Sequence, residues 1–390
     1  MSGPDAATAL AAAPIWGELV GQEHVVATLR AAVEARSPGA MTHAWLFTGP
    51  PGSGRSNAAL AFAAALQCES GGCGQCRSCV TAAAGSHPDI AVVSTDGLSI
   101  GVGTAREIVR KAALSPALGR WQVVVIEDAD RLTDQAANAL LKAIEEPTPH
   151  TVWMLCAPAS QDVIMTIRSR CRSVLLRTPP THAIAELLQA RDGIAPDVAQ
   201  SVAAASLGHI GRARALARNP ELRERRAAVL AMPSRIRHIG DAFAEAKGIV
   251  TEADSRADAQ CDESDARELA DLQAVFGVED RGRRPAGYSG ALASLTKDQK
   301  ARRKRLARDA IDGVLLDLIS FLRDVLARQV APGVRVVNAD VENQIDSVAS
   351  RWSTSHTWVA LDAVTTCRSS LTANAAPTVA LENMLVRFLP

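Results

Sequence analysis

The sequence is poor in aromatic residues, in net charge and in long apolar runs. Its 42 Lys and Arg residues balance 42 Asp and Glu residues, so any contact with nucleic acid has to come from a local patch. No stretch approaches 18 uninterrupted apolar residues, so we expect no transmembrane helix and no membrane partner. The opening "MSGPDAATALAAAPIW" has no basic residue before its short apolar run, which makes it a poor secretory signal. We therefore expect a cytoplasmic protein.

Four of the eight cysteines lie close together, in the stretch "CESGGCGQCRSC". In a cytoplasmic protein, cysteines are more often metal ligands or core residues than disulfides. Cys68, Cys73, Cys76 and Cys79 form a C-x4-C-x2-C-x2-C array whose glycine turns suit tetrahedral Zn²⁺, and four protein ligands would make the site structural. The spacing C-x2-C-x2-C-x3-C-P of an iron–sulfur cluster is absent. Structural zinc is the preferred interpretation, and an iron–sulfur cluster and free thiols are its alternatives.

Aromatic residues make up only 3% of the chain, while much of the 47% hydrophobic content is alanine, which favours helices. Within the first 180 residues, short apolar runs alternate with helical patterns. The strand-like runs are residues 43–49, 89–94, 121–128 and 151–158. Near-continuous apolar strands alternating with helices predict a parallel sheet covered on both faces. Only helical patterns follow, which predicts a small helical domain over about 179–220.

Charges in the later part of the chain are segregated by sign. Acidic residues dominate Glu252–Asp280 and basic residues dominate Arg281–Arg308, which predicts an exposed helical or partly disordered insertion over about 240–305. Apolar side chains three or four residues apart predict one long amphipathic helix over 302–330. The basic block is more typical of a solvated surface than of a DNA contact, although phosphate attraction needs only charge.

The stretch "FTGPPGSGRSNAA" (47–59) places Gly49, Gly52 and Gly54 between an apolar strand and a helix. Such glycines let backbone N–H groups close on a phosphate at the start of a helix. The phosphate-loop pattern G-x-x-x-x-G-K-S/T requires a lysine before Ser56, and this chain has Arg55, a bulkier planar cation that does not replace lysine. ATP or ADP binding through the backbone stays open but doubtful, and we expect hydrolysis to be weak or absent.

The strand-like run "VVVIEDAD" (123–130) ends in acids, including Glu127 and Asp128. Nucleotide-hydrolysing enzymes use acids at this place to hold Mg²⁺ and to orient water. Together with the glycine-rich loop, the acids predict a degenerate nucleotide site. Its residues are Gly49, Gly52, Gly54, Arg55, Ser56, Glu127 and Asp128.

These stretches resemble the bacterial clamp-loader subunits of the DNA polymerase III holoenzyme, which have the AAA+ fold. The resemblance lies in the cysteine cluster and in "LVGQEHVVATLRAAV" (19–33), "HAWLFTGPPGSGRS" (43–56), "NALLKAIEEP" (138–147) and "SRC" (169–171). It implies an α/β P-loop domain with a parallel sheet and an inserted zinc module, followed by a small helical lid and an all-α collar. The implied boundaries are 1–178 with the zinc module at 68–79, 179–220, and 221–390 with the charged insertion at about 240–305.

Motor subunits of that family carry a P-loop lysine, an Asp-Glu pair, a polar sensor after the fourth strand and a second-sensor arginine. Here those places hold Arg55, Glu127-Asp128, the apolar "CAP" (156–158) and Gly211. These departures are similar to the delta-prime branch of the family, which acts as a fixed stator. In the family, the arginine of "SRC" reaches the ATP site of the neighbouring motor, so the resemblance implies that Arg170 is an arginine finger acting in trans.

The resemblance also implies partners. They would be the gamma/tau ATPase and delta subunits, the sliding clamp, and primed DNA contacted mainly through the complex. Two alternatives stay open: a self-sufficient ATPase motor in which Arg55 replaces the lysine, and a zinc-containing DNA-binding module outside any loader. For Arg170, the simpler alternative is a local hydrogen bond at a helix end.

Overall fold

The computed structural model describes residues 14–34, 39–95, 99–278, 285, 287–331 and 333–389. The chain divides into two compact units, Met1–Ala217 and Arg218–Pro390. Residues 1–13, which carry most of the stretch examined for a secretory signal, and residues 279–284, where the acidic and basic blocks meet, lie outside the described residues. None of the described helices is long and apolar enough to cross a membrane.

The first unit is built on a five-stranded sheet in the order β2-β3-β4-β1-β5, with every neighbouring pair parallel. The strands are β1 (Ala44–Thr48), β2 (Ile90–Val93), β3 (Gln122–Ile126), β4 (Thr151–Ala157) and β5 (Arg172–Leu175). Every residue of β1, β3 and β4 is buried, as expected for central strands covered on both faces. The predicted parallel α/β sheet is confirmed. Sequence patterns miss β5, because only Val174 of this edge strand is buried and it therefore gives no apolar run.

Helices cover both faces of this sheet. Trp45 and Phe47 belong to a core that includes the helix before β1 and the helix after it, whereas Leu46 belongs to the core on the opposite face. This alternation is the two-residue period of a strand. The helices are α1 (Glu23–Val33), α2 (Arg55–Gln67), α3 (Arg77–Ala83), α4 (Val102–Ala112), α5 (Asp134–Glu145), α6 (Met165–Arg168), α7 (Thr181–Asp192), α8 (Pro196–Ala205) and α9 (Ile210–Arg218).

The connections after β1 and β4 leave the sheet on opposite faces. The chain passes from β1 through α2 on one face and from β4 through α6 on the other. In a parallel sheet, this arrangement opens a crevice at the carboxyl ends of the two adjacent strands, where ligands bind. The residues that follow the two strands meet there, since the Gly49 amide donates to the Pro158 carbonyl at 3.1 Å. The crevice is therefore the place to look for a site.

Ion pairs tie the last helices of the first unit to the segment before α1. Glu18 accepts hydrogen bonds from the guanidinium groups of Arg191 on α7 and Arg214 on α9. Arg214 also donates to Asp192 at 2.9 Å. A separate lid over 179–220 stays a prediction, since these helices belong to the first unit as far as residue 217.

The described part of the second unit consists of helices around one apolar core. Phe321 and Phe388 are among its fully buried side chains. The amphipathic helix predicted over 302–330 is the C-terminal two thirds of a helix that begins at residue 288. The helices are α10 (Pro220–Leu230), α11 (Met232–Arg235), α12 (Ile239–Phe276), α13 (Tyr288–Val330), α14 (Glu342–Arg351), α15 (Thr354–Thr372) and α16 (Pro377–Val386).

The segregated charges pair with each other across the two long helices α12 and α13. Arg302 on α13 donates to Asp265 at 2.5 Å and to Glu268 at 2.7 Å, and Arg303 donates to Asp265 at 2.8 Å. Arg303 also forms an ion pair with Asp258 at 2.7 Å. Acidic residues of the first block thus form ion pairs with basic residues of the second. In the described part of the insertion over 240–305, the two blocks lie on helices.

Candidate functional site

The glycine-rich loop follows β1 and begins α2 at Arg55. Gly52 and Gly54 have φ values of +82° and +90°, a left-handed backbone region that side chains other than glycine rarely adopt. Gly54 is the N-cap of α2, no side chain caps the helix there, and a Cβ on Gly54 would meet open space. Ser56 is half-buried in the first turn of the helix. The local sequence therefore builds the strand–loop–helix shape that a phosphate-binding loop uses.

Arg55 binds its own loop. Its guanidinium Nη1 donates a 2.6 Å hydrogen bond to the carbonyl oxygen of Gly49. In a phosphate-binding loop, the lysine at this place reaches the β- and γ-phosphates. Here one nitrogen of the Arg55 guanidinium binds a backbone carbonyl at the base of the loop instead. Arg55 therefore acts as a clamp that holds its own loop.

His209 lies against the crest of the same loop. A Cβ on Gly52 would come within 2.3 Å of the His209 Cγ atom, so only glycine fits at this position. The His209 ring is fixed in turn, because its Nδ1 accepts from the Arg212 amide at 3.2 Å in the first turn of α9. Partial burial lowers the pKa of His209, and the positive charge of Arg212 lowers it further. A neutral imidazole therefore covers part of the loop where a nucleotide enzyme exposes backbone to phosphate.

Gln22 fastens the loop from the other side. Its Nε2 donates to the carbonyl oxygen of Arg177 at 2.6 Å and to that of Ser53 at 3.4 Å. Its Oε1 accepts from the Arg177 amide at 3.1 Å, and the side chain is fully buried. Breaking any of these hydrogen bonds would leave a buried polar group without a partner. The Gln22 amide therefore links the loop rigidly to the backbone at Arg177.

The two acids follow β3 at the same edge of the sheet. Asp128 accepts from the Thr95 amide at 3.4 Å and lies 3.8 Å from the Arg131 guanidinium. Burial raises the pKa of the Cys156 thiol on β4 to about 12, and the charges of Arg55, Glu127 and Asp128 also act on that thiol. Arg55 and the two acids are therefore near enough to the buried Cys156 for their charges to act on its thiol.

Arg170 lies outside this crevice, directly after α6. Its Nη2 pairs with Glu145 Oε1 at 2.5 Å, and its Nη1 donates to the Thr166 carbonyl at 2.7 Å and to Ser169 Oγ at 3.3 Å. Glu145 is the last residue of α5, so this contact joins the two motifs "NALLKAIEEP" and "SRC". The Arg170 side chain remains 37% exposed. The local hydrogen bond that the sequence suggests as the simpler alternative for Arg170 is present. The guanidinium has further N–H groups that can donate to another acceptor.

The four clustered cysteines converge. Their Sγ atoms all lie within 4.8 Å of one another, and Cys68 Sγ is 3.7 Å from the sulfurs of both Cys73 and Cys76. Tetrahedral zinc with ~2.3 Å bonds to sulfur requires sulfur–sulfur distances of ~3.8 Å. The donor set and its spacing therefore fit a closed tetrahedral metal site.

Backbone amides favour the thiolate, which is the form that binds metal, by lowering the pKa of Cys68 and Cys73, whereas burial raises the pKa of Cys79. The Cys73 amide points at Cys68 Sγ, the Cys76 amide at Cys73 Sγ, and the Cys79 amide at Cys76 Sγ, at 3.3–3.5 Å. Burial acts to raise the pKa of Cys68, but backbone hydrogen bonds from Cys73, Gly72 and Ser70 outweigh it and lower that pKa to about 6. The cysteine spacing alone was enough to predict this convergence.

Sequence patterns assigned no role to three residues near these sites. His209 and Gln22 hold the loop, and Glu145 holds Arg170. His209 had one usable signal, since it stands between two glycines directly before a helix, at an N-cap position. Glu145 had only its membership of "NALLKAIEEP".

Two family models match the chain. Residues 21–180 match the model described as DNA polymerase III, delta subunit, and residues 304–389 match the model described as DNA polymerase III, delta subunit, C terminal. The gamma/tau subunit of DNA polymerase III from Mycobacterium tuberculosis is 37% identical over 178 residues, which is 44% of this chain and 30% of the relative.

The delta' subunits of the same polymerase are similar to a comparable degree. The one from Bacillus subtilis is 34% identical over 193 residues, 49% of this chain and 58% of the relative. The one from Escherichia coli is 34% identical over 180 residues, 45% of this chain and 54% of the relative. The matches thus span about half of this chain and between 30% and 58% of these relatives.

Among solved structures, a gamma subunit-related protein of DNA polymerase III from Thermotoga maritima is 16% identical with a TM-score of 0.43, covering 93% of this chain and 97% of that one. A TM-score this low adds nothing to the assignment. The family rests on the sequence matches at both ends of the chain. On those matches, the chain belongs to the DNA polymerase III delta-subunit family, together with the delta' subunits of Bacillus subtilis and Escherichia coli.

Proposed function

We propose that this chain is the delta-prime stator of a DNA polymerase III clamp loader and helps to load the sliding clamp onto primed DNA during replication. One observation carries the stator role. The cation of the phosphate loop, Arg55, is bound to the loop's own Gly49 carbonyl at 2.6 Å. With that nitrogen turned back onto the loop, and a planar guanidinium in place of a compact ammonium, the chain has the shape of a nucleotide site but not the lysine that reaches a transferring phosphoryl group.

Two further contacts support an inactive loop. His209 rests on Gly52, and Cys156 is a buried thiol on which the charges of Arg55, Glu127 and Asp128 act. The residues do not fit a hydrolysing site, and no step of the proposed function passes through a nucleotide bound to this chain.

In this proposal, Arg170 acts in trans, at the ATP site of the neighbouring subunit. An arginine finger neutralises charge that develops on the phosphoryl group of a neighbouring subunit and is worth ~10³–10⁵ in rate. Its exposure and the N–H donors left beyond Glu145, Thr166 and Ser169 support that role. The neighbour would be the gamma/tau-type ATPase, with the delta subunit, the clamp and primed DNA as the other partners of the assembly.

The cysteine cluster would hold structural Zn²⁺ through Cys68, Cys73, Cys76 and Cys79. Four protein ligands leave no open position, so bound zinc would fix the fold between α2 and α3 and take no part in catalysis.

The test is ATP hydrolysis by the purified chain alone and by its mixture with the gamma/tau-type and delta subunits, clamp and primed DNA. We expect no turnover alone and a stimulated rate in the mixture that disappears with Arg170→Ala. Assembly, followed by size-exclusion chromatography, should stay intact in that variant.

Each alternative predicts a different result. A self-sufficient motor would hydrolyse ATP alone and lose that activity with Asp128→Asn. A zinc-containing DNA-binding module would bind DNA alone in a salt-sensitive manner, with no need for the other subunits. An unchanged stimulated rate with Arg170→Ala would contradict the finger assignment.

A further inference from the structure

Arg170 is anchored on two sides before any partner arrives. Glu145 Oε1 binds its Nη2 at 2.5 Å, and the Thr166 carbonyl binds its Nη1 at 2.7 Å. The anchors belong to different elements, because Glu145 ends α5 and Thr166 lies in α6. A guanidinium is a planar fork, so two anchors at its two terminal nitrogens fix both its position and its orientation.

Glu145 is placed for this contact by the way α5 is built. Thr133 caps the start of the helix by accepting from the Ala136 amide at 3.2 Å, and Leu140 and Ile144 are fully buried beneath it. A carboxylate at the last turn of a helix is unfavourable, because the carbonyl end carries partial negative charge. The guanidinium of Arg170 offsets that charge. The ion pair therefore stabilises Glu145 at the end of the helix and also holds Arg170 in place.

We propose that Glu145 is the positioning residue for Arg170: it holds the guanidinium in one orientation, so that the finger meets the phosphate of the neighbouring subunit without first being ordered. This rests on the proposed function of Arg170. An unanchored arginine would lose rotamer freedom at the moment it engages the phosphate, and an anchored one has lost it already. Glu145 touches no substrate and acts only through Arg170.

The test is a double-mutant cycle in the complete loader, made from the full chain with the gamma/tau-type and delta subunits, clamp and primed DNA. Glu145→Ala should lower the stimulated kcat about two- to fivefold, the range expected for an ion pair exposed to this degree, with KM for ATP unchanged. Glu145→Gln keeps an acceptor for Nη2, so its loss should be smaller. In the Arg170→Ala background, the residual rate of the complex, measured under single-turnover conditions, should not fall further with Glu145→Ala.

Glu146→Ala is the matched control. Glu146 is the exposed neighbour of Glu145 and is not a partner of Arg170 in the part of the chain that the structure describes, so its removal should leave kcat unchanged. If Glu145→Ala weakens folding or assembly, the cycle is repeated with Glu145→Gln, which should lower kcat only where Arg170 is present.

Three results would overturn the proposal: an unchanged kcat with Glu145→Ala, a raised kcat, or an equal fractional loss with and without Arg170. Failure of the underlying function looks different, because Arg170→Ala alone would then leave the stimulated rate unchanged. A purely structural role for Glu145 would lower the melting temperature and would not depend on Arg170.

Discussion

Replacing Arg55 with methionine tests whether the arginine clamps its own loop. The change removes the donor of the 2.6 Å hydrogen bond to the Gly49 carbonyl and keeps much of the apolar stem. A hydrogen bond from a charged group contributes about 1.5–3 kcal/mol, and because Arg55 is only half-buried we take the low end, about 1.5 kcal/mol. For a unit of this size, 1 kcal/mol lowers Tm by about 2–4 °C, so we expect a fall of about 3–6 °C.

The assay is thermal unfolding of the nucleotide-free chain, followed by circular dichroism. Arg106→Met is the control, since Arg106 is an exposed arginine on α4, and its Tm should stay within about 1 °C of the wild type. If Arg55 were instead held free for a phosphate, its removal would leave Tm unchanged or raise it, because an unpaired cation in the crevice would be lost. Either of those results would refute the clamp.

Three further predictions concern other parts of the chain. If the cluster holds zinc as proposed, native mass spectrometry should find one equivalent in the wild type, Cys68→Ser should abolish it and lower Tm, and Cys367→Ser, a change at a cysteine outside the cluster, should leave the zinc content unchanged. The pKa of His209 lies below its unfolded value of about 6.5, so its contribution to stability is complete above that pH and is lost as the pH falls. Thermal unfolding between pH 8 and pH 5 should therefore show the wild type losing stability relative to His209→Asn, and parallel curves would contradict this. Asp265→Asn removes the carboxylate shared by Arg302 and Arg303 and should destabilise the second unit by about 1–3 kcal/mol in urea unfolding, while the exposed Glu263→Gln should change it by less than about 0.5 kcal/mol.

Sequence patterns predicted the features that are determined by residues close together in the chain. Central strands such as β3 and β4 are buried on both faces and appear as apolar runs. The cysteine array has its ligands within one short loop, so the spacing alone indicates that they converge. The glycines of the phosphate loop are likewise required by local backbone angles.

Contacts between distant residues could not be predicted in the same way. His209 meets Gly52 only because α9 returns to the loop, and no pattern in either stretch encodes that meeting. The acidic and basic blocks of α12 and α13 suggested an exposed helical or partly disordered insertion, and their pairing could not be predicted because it requires knowing which residues face each other across the two helices. Glu145 and Arg170 were each part of a motif, but their contact depends on where α5 ends.

Arg55 and Arg170 have different surroundings. That difference is compatible with a chain whose own nucleotide loop is inactive and whose Arg170 still acts on a neighbouring subunit, as proposed. Arg55 is half-buried in the crevice, and one of its terminal nitrogens binds a carbonyl of its own loop. Arg170 lies on another element, is more than a third exposed, and keeps N–H donors beyond its three partners. The first depends on the β1–α2 loop and the second on the ends of α5 and α6, so substitutions that disable the nucleotide loop leave the geometry of Arg170 untouched. Under the proposed stator role, a subunit that does not hydrolyse ATP would promote hydrolysis by its neighbour, because the residues for the two tasks share a fold but no contact that the structure describes.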